Sequence, residues 1–432
     1  MSARLDRLAR SWAEPGDFRA RLLSLTRVTA AVRCGHTYPS PYNAGPEIVQ
    51  AMYPGRTLVP FRFRWLDRRM IVTRDDTGLN LFPVGVEVRS INGVDTGALL
   101  RGLIPLARAD GGNDAKRISL MEVRGDDGYE TLDIHLPLLL PLQDEARFTL
   151  GDGRVATAGL LTLEERRAGR EPSATAAGDA NPWTLERTAD GVAVLTMPGW
   201  ALYNSSFDWR TWLGGVMDDL AGDGARGLIV DLRGNEGGLD CGDLVVSRLI
   251  DADLALPDQQ RWVRYRRAPD ALHPYLDTWD RSFLDWGEQA VESRQRPGFY
   301  RLTRFDDDGA ASVIRPAGRR FRGPVAVLCD ASNSSATFGF AQLCKSRGLA
   351  RLIGEPTGGN RRGINGGAFF FLKLPLSGLE VDLPLIAGFT ETPQPDAPIE
   401  PDQTVRTTVD DLIRGHDPQK AAARNWITDQ AV

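Results

Sequence analysis

The chain has 432 residues, 42% hydrophobic and 25% charged, a balance that fits a globular protein of two or three domains. A formal net charge of -5 and the lack of any basic block argue against a general nucleic-acid surface. No stretch reaches the roughly 18–20 apolar residues of a spanning helix, and the charged opening from Met1 to Asp17 does not read as a signal peptide.

The four cysteines, Cys34, Cys241, Cys329 and Cys344, show no metal-ligand spacing, and Cys329 and Cys344 read as small core residues. The four histidines, His36, His135, His273 and His416, are scattered, so no metal cluster is expected.

In chain order, Leu5, Leu8 and Trp12 share one helical face, and Gly16-Asp17 interrupts it. A second amphipathic helix carries Leu22, Leu25, Val28 and Val32. Glycine and proline stop it at Cys34-Gly35-His36-Thr37-Tyr38-Pro39, which leaves His36 on a loop just past a helix end. From Pro60 to about Leu140 the pattern turns to strands: Phe61 to Trp65 alternates, and Val84 to Ile91 runs into an Asn92-Gly93 turn. Residues 141–182 are poor in large apolar side chains towards their end and read as a connector.

The core opens at the buried strand Gly191 to Met197. A helix through Trp209, Trp212, Val216 and Leu220 leads to a second strand, Gly227 to Leu232, and the glycine loop Arg233-Gly234-Asn235-Glu236-Gly237-Gly238. Strand, helix, strand in that order predicts a right-handed crossover and a parallel or mixed α/β sheet. Residues 251–323 are rich in Trp and Tyr interleaved with Arg, and read as a helical cover over a cleft, with plain core packing the reading for most of the aromatics. A third buried strand, Val325 to Cys329, meets the bend Ala331-Ser332-Asn333-Ser334. The helix that follows has apolar residues at Ala336, Phe340 and Leu343. Ser335 thus stands at a strand-to-helix bend, where unpaired N–H groups and the helix dipole favour a developing negative charge. A plain helix cap is the competing reading for Ser334 or Ser335.

Taken together, DLRGNEGG (231–238), SNSSATF (332–338) and GEPTGG (354–359) resemble, in order and spacing, the C-terminal processing and tricorn-type serine peptidases. The resemblance implies an α/β, crotonase-like (ClpP/crotonase) core at 183–410. Around it are expected an N-terminal helical segment at 1–56, a degenerate PDZ-like domain at 57–140, a connector at 141–182, and a C-terminal helix and tail at 411–432. It implies Ser335 as nucleophile, with oxyanion donors at Ala336 and at Gly237 or Gly238. The PDZ-like module either accepts an extended peptide as an added strand or is a scaffold that binds nothing.

Processing peptidases often pair the serine with a lysine that follows the GEPTGG position. That slot here reads Gly359-Asn360-Arg361, none of the four lysines falls in it, and arginine is no base at neutral pH. CGHT (34–37) is similar to the Asp-Gly-His-Thr motif of tricorn-like relatives, which implies His36 as general base, with Cys34 where the acid usually stands. The orienting carboxylate is then Glu391 or Glu400. Glu391 is preferred, because Glu400 sits in Ile399-Glu400-Pro401-Asp402, which resembles a structural tag. The expected activity is amide hydrolysis of a polypeptide through an acyl-enzyme, without metal or other cofactor. The oligomeric state stays open. The location is periplasmic or otherwise extracytoplasmic if a leader has been trimmed, and cytoplasmic if not. The alternatives are an inactive homologue that binds peptides and a thioester-processing enzyme of the same superfamily.

Overall fold

The computed structural model describes residues 1–14, 16–169, 181–256, 259–306, 313–390 and 392–430. The central sheet has six strands in the order Gln403–Thr404, Arg351–Gly354, Val325–Cys329, Gly227–Asp231, Val192–Thr196 and Thr184–Arg187. All pairings are parallel except the last, at the Thr184–Arg187 edge. Parallel strands buried on both faces must be apolar at every position, which is why they read as continuous hydrophobic runs.

Alternation along each strand divides those side chains between two cores. Ala193, Leu195, Leu228, Val230, Val325 and Val327 face the helices Trp209–Gly222, Cys241–Ser247 and Ser335–Arg347. Val192, Val194, Ile229, Ala326, Leu328 and Ile353 face the other way, onto Ala423 and Ile427. The helix Pro418–Gln430 is therefore a packed element, and it covers the central strands on one face of the sheet.

A second, antiparallel sheet lies N-terminal to the first. It is built from Phe61–Leu66, Arg69–Asp75, Glu87–Ile91, Glu145–Leu150 and Val155–Gly159, with Val94–Asp95 paired beside Glu87–Ile91. Phe61, Phe63, Phe82 and Phe148 pack edge to face or tilted in its core. The hairpin over 145–159, inside the stretch read as connector, belongs to this sheet through the pairing of Phe148 with Ile91. Its signal is the alternation Ala146, Phe148, Leu150, all buried. Residues 170–180 of that connector lie outside the described residues.

The helical cover expected over 251–323 is instead short strands joined by turns and irregular chain, with no α-helix among the described residues. Gln259–Val263, Ala290–Glu292 and Tyr300–Leu302 extend a six-stranded antiparallel sheet with Leu276–Asp277, Ile364–Lys373 and Glu380–Thr390. Trp262 and Val263 carry opposite-facing aromatic and β-branched side chains, which suit a pleated surface better than a helix. Trp286, Phe283 and Leu302 fill the core beneath it. No described helix is long and apolar enough to cross a membrane.

Ile427 is fully buried against the central sheet. Ile427→Ala is expected to lower unfolding free energy by about 2–5 kcal/mol, read as a lower urea midpoint with little change in slope.

Candidate active site

The site is built where the central strands Gly227–Asp231 and Val325–Cys329 end, at the carboxyl edge where open α/β sheets place their ligands. Two loops leave those ends side by side, and one side chain ties them together. The Asn333 amide donates to the Leu232 carbonyl at 2.5 Å and to the Asn235 carbonyl at 3.0 Å, while its oxygen accepts the Asp330 N–H at 2.8 Å. The Asn333 carbonyl in turn accepts the N–H groups of Gly358 and Gly359, at 2.7 and 2.9 Å. Thr337 donates its hydroxyl to the Asn235 carbonyl at 3.0 Å, and Ser334 donates to the Glu236 carbonyl at 3.1 Å.

Ser335 begins the helix Ser335–Arg347 with φ 53°, in the left-handed region that non-glycine residues seldom occupy. The cap reading fails. Ser334 makes no side-chain cap, and its hydroxyl goes across to the neighbouring loop. Among the described residues the Ser335 hydroxyl has no protein partner, so its strained turn presents an unengaged Oγ.

Gly237 packs against that turn. A Cβ on it would lie 2.8 Å from the Ser335 Cβ and 2.9 Å from the Ala336 nitrogen, and its φ of 106° is itself costly for any side chain. Gly238, at φ 137°, would drive a Cβ to 2.2 Å from the Trp200 carbonyl. The two glycines differ in their donors. The Gly237 N–H is taken by the Asn235 side-chain oxygen at 2.9 Å. The N–H groups of Gly238 and Ala336 have no protein acceptor among the described residues, as an oxyanion hole requires.

His36 reaches the same cavity from the far end of the chain. Its loop is pinned on one side by the Gly35 N–H donating to Asp110 Oδ1 at 2.8 Å and by Arg108 donating to the Gly35 carbonyl at 3.0 Å. On the other side it runs along the strand Glu380–Thr390, with Ser40 N–H to the Glu380 carbonyl and Asp382 N–H to the Tyr38 carbonyl. The ring meets Phe369 edge to face at 5.8 Å. Burial lowers the pKa of His36 below its usual value although Asp110 works against this, so the ring is neutral at neutral pH. One cavity of about 1800 Å³ is lined by His36, Glu236, Gly237, Gly238, Ser335 and Ala336.

Glu391 lies outside the described residues. Glu400 is exposed at the surface, where its backbone carbonyl accepts from Lys345. The carboxylate beside His36 is Asp110, a residue that no spacing in the sequence singled out; it lies with His36 and Cys34 in a group whose ligand atoms are within 4.8 Å of one another. A lysine is also present, though not from the slot after GEPTGG. Lys116 Nζ donates to the Ser332 carbonyl at 2.9 Å and pairs with Glu236 Oε1 at 2.8 Å. Its stem lies along Gly358, where a Cβ would stand 3.0 Å from the Lys116 Cδ. Arg108 holds the other Glu236 oxygen at 3.0 Å. Burial alone would raise the Glu236 carboxyl; the two cations outweigh it and hold it well below the usual carboxylate range. Lys116 is thus an ion-paired strut between the two loops.

Residues 191–367 match the profile of peptidase family S41. They form a serine peptidase domain of family S41. None of the curated proteins matches the sequence. Among solved structures, a serine-to-alanine mutant of CPAF is 14% identical with a TM-score of 0.60, over 97% of this chain and 88% of that one. Mature CPAF complexed with lactacystin is 14% identical with a TM-score of 0.58, over 96% and 88% of the two chains. At that identity the likeness concerns the fold, and it extends beyond the S41 domain to nearly the whole chain.

Within the S41 domain, Gly237→Ala is expected to push a methyl into the Ser335 turn and lower kcat by about a hundredfold or more, with the far-ultraviolet spectrum unchanged. Lys116→Met removes the strut and leaves Glu236 with Arg108 alone. It is expected to cost about tenfold or more in kcat with a smaller change in KM, measured on a peptide substrate.

Proposed function

We propose that the chain is an endopeptidase in which Ser335 is the nucleophile and His36 the general base, with a crotonase-like core at 183–410. The observation that carries this reading is the Ser335 turn: a strained residue with an unengaged hydroxyl packed against Gly237, in a cavity also lined by Ala336 and Gly238, whose N–H groups are unpartnered among the described residues. A helix cap or a scaffold has no use for that arrangement.

In the proposed reaction the neutral His36 ring takes the Oγ proton as Ser335 attacks the scissile carbonyl. The Ala336 and Gly238 N–H groups receive the negative charge of the tetrahedral intermediate. His36 then returns the proton to the leaving amine, and water hydrolyses the acyl-enzyme by the reverse sequence. Asp110 is the carboxylate that acts on the His36 ring, through its charge rather than through a hydrogen bond to the imidazole. The presence of its carboxylate and of Glu236 near the ring stabilises the imidazolium that forms. Burial lowers the pKa of Lys116 although Glu236 works against this; the part assigned to Lys116 is structural, since its Nζ is engaged by Glu236 and by the Ser332 carbonyl. The antiparallel domain, with its residues 57–140 PDZ-like, would bring an unfolded polypeptide to the cavity.

A fluorophosphonate probe is expected to label Ser335 in the wild type and not in Ser335→Ala, which should be inert towards unfolded protein. His36→Ala is expected to lose roughly 10³-fold or more in turnover and Asp110→Asn about tenfold or more, both folded. Absence of labelling in the folded wild type would favour a peptide-binding homologue without activity. Intact acyl-thioester turnover in Ser335→Ala would favour the thioester reading.

A further inference from the structure

Cys34, His36 and Asp110 place a sulfur, a ring nitrogen and a carboxylate oxygen within 4.8 Å of one another. Cys34 and Asp110 are buried, and His36 Nδ1 is buried without a hydrogen-bond partner. A buried imidazole nitrogen left unpaired is uncommon, and a bound ion is one of the few arrangements that satisfies it. The fold holds the three side chains from both directions: the Gly35 N–H donates to Asp110 Oδ1, and the His36 N–H donates to the Cys34 sulfur at 3.4 Å.

We propose that this group is an inhibitory site for a thiophilic divalent cation, zinc above all. Thiolate, imidazole and carboxylate are the three ligand types of zinc sites, at metal distances of about 2.0–2.3 Å. Tetrahedral ligands at those distances stand roughly 3.3–3.6 Å apart, so side-chain shifts of about 1 Å close the group around the ion. A hard cation such as magnesium or calcium is not suited to a set with sulfur and nitrogen in it. Binding releases the thiol proton of Cys34 to solvent and leaves the fourth position to water.

The consequence for catalysis rests on His36 being the base. A cation on Nδ1 confines the remaining ring proton to Nε2, and a cation on Nε2 occupies that lone pair outright. Either way the imidazole has no lone pair left for the Ser335 proton. Cys34 makes the difference here, since a carboxylate at that position would offer no thiolate.

The test titrates the full-length chain with cobalt(II) as a spectroscopic substitute and with zinc. The wild type is expected to bind one ion, with a thiolate-to-cobalt charge-transfer band that zinc abolishes. Cys34→Ala should lose the band and bind zinc about tenfold or more weakly, and Cys34→Ser, close in volume, serves as the second variant. Zinc should inhibit wild-type peptidase, a chelator should restore it, and magnesium and calcium should do neither. Cys34→Ala should keep near wild-type turnover and resist zinc by the factor it loses in affinity. No binding by the wild type, or equal binding by folded Cys34→Ala, overturns the site. Zinc bound through Cys34 without loss of turnover overturns the inhibitory role. The cobalt spectrum needs no turnover, so it reports on the site even if the peptidase reading is wrong.

Discussion

The arrangement at the carboxyl edge of the central sheet depends on the Asn333 side chain. Its amide is hydrogen-bonded to two carbonyls of the glycine loop and its oxygen to the backbone of its own loop, all within the buried interior. Buried carbonyls need partners, and here one amide satisfies two of them while fixing the distance between the loops. That distance sets Gly237 against the Ser335 turn. The strain at Ser335 persists because the neighbouring loop over-determines it.

Charge does for the outer shell what the amide does for the inner one. Glu236 is buried between protein walls yet 40% exposed to the cavity, and it is held by Lys116 and Arg108 from the N-terminal part of the chain. Arg124 binds Asp330 at 2.9 Å in the same manner. Each pair spans the seam between the antiparallel domain and the S41 domain, so the cavity is complete only when the two are docked. Polar contacts from Asn113 to the Thr357 and Gly359 carbonyls, and from Asn360 to the Asp110 carbonyl, run along the same seam. The loop that carries His36 is fastened to the same stretch, through Asp110. The position of His36 and the position of the glycine loop are therefore coupled through residues 108–124.

This coupling explains why a lysine stands near the serine without lying in the lysine slot of processing peptidases. The space along Gly358 is filled by Lys116, which arrives from another part of the chain and is paired with Glu236. Asn360, in the slot itself, turns to Asp110 and Asp396. Local spacing could show that the slot was empty of lysine, and it could not show what filled the volume.

The sequence by itself determined the central sheet, the glycine loop and the serine bend. Each of these is set by neighbours in the chain: continuous apolar runs for strands buried on both faces, glycines at positive φ, and a helix spacing that starts at Ser335. The strands of the aromatic stretch 251–323 are not legible in the chain, because bulky residues between turns have no clear period and their pleat depends on the partner strands Ile364–Lys373 and Glu380–Thr390. Only the tertiary structure decided which carboxylate meets His36, which glycine N–H is unengaged, and where Lys116 goes. Asp110 and His36 are 74 positions apart, and Lys116 and Glu236 are 120 apart. A charged side chain carries no periodic signature, and its partner is chosen by packing of whole domains rather than by the residues beside it in the chain.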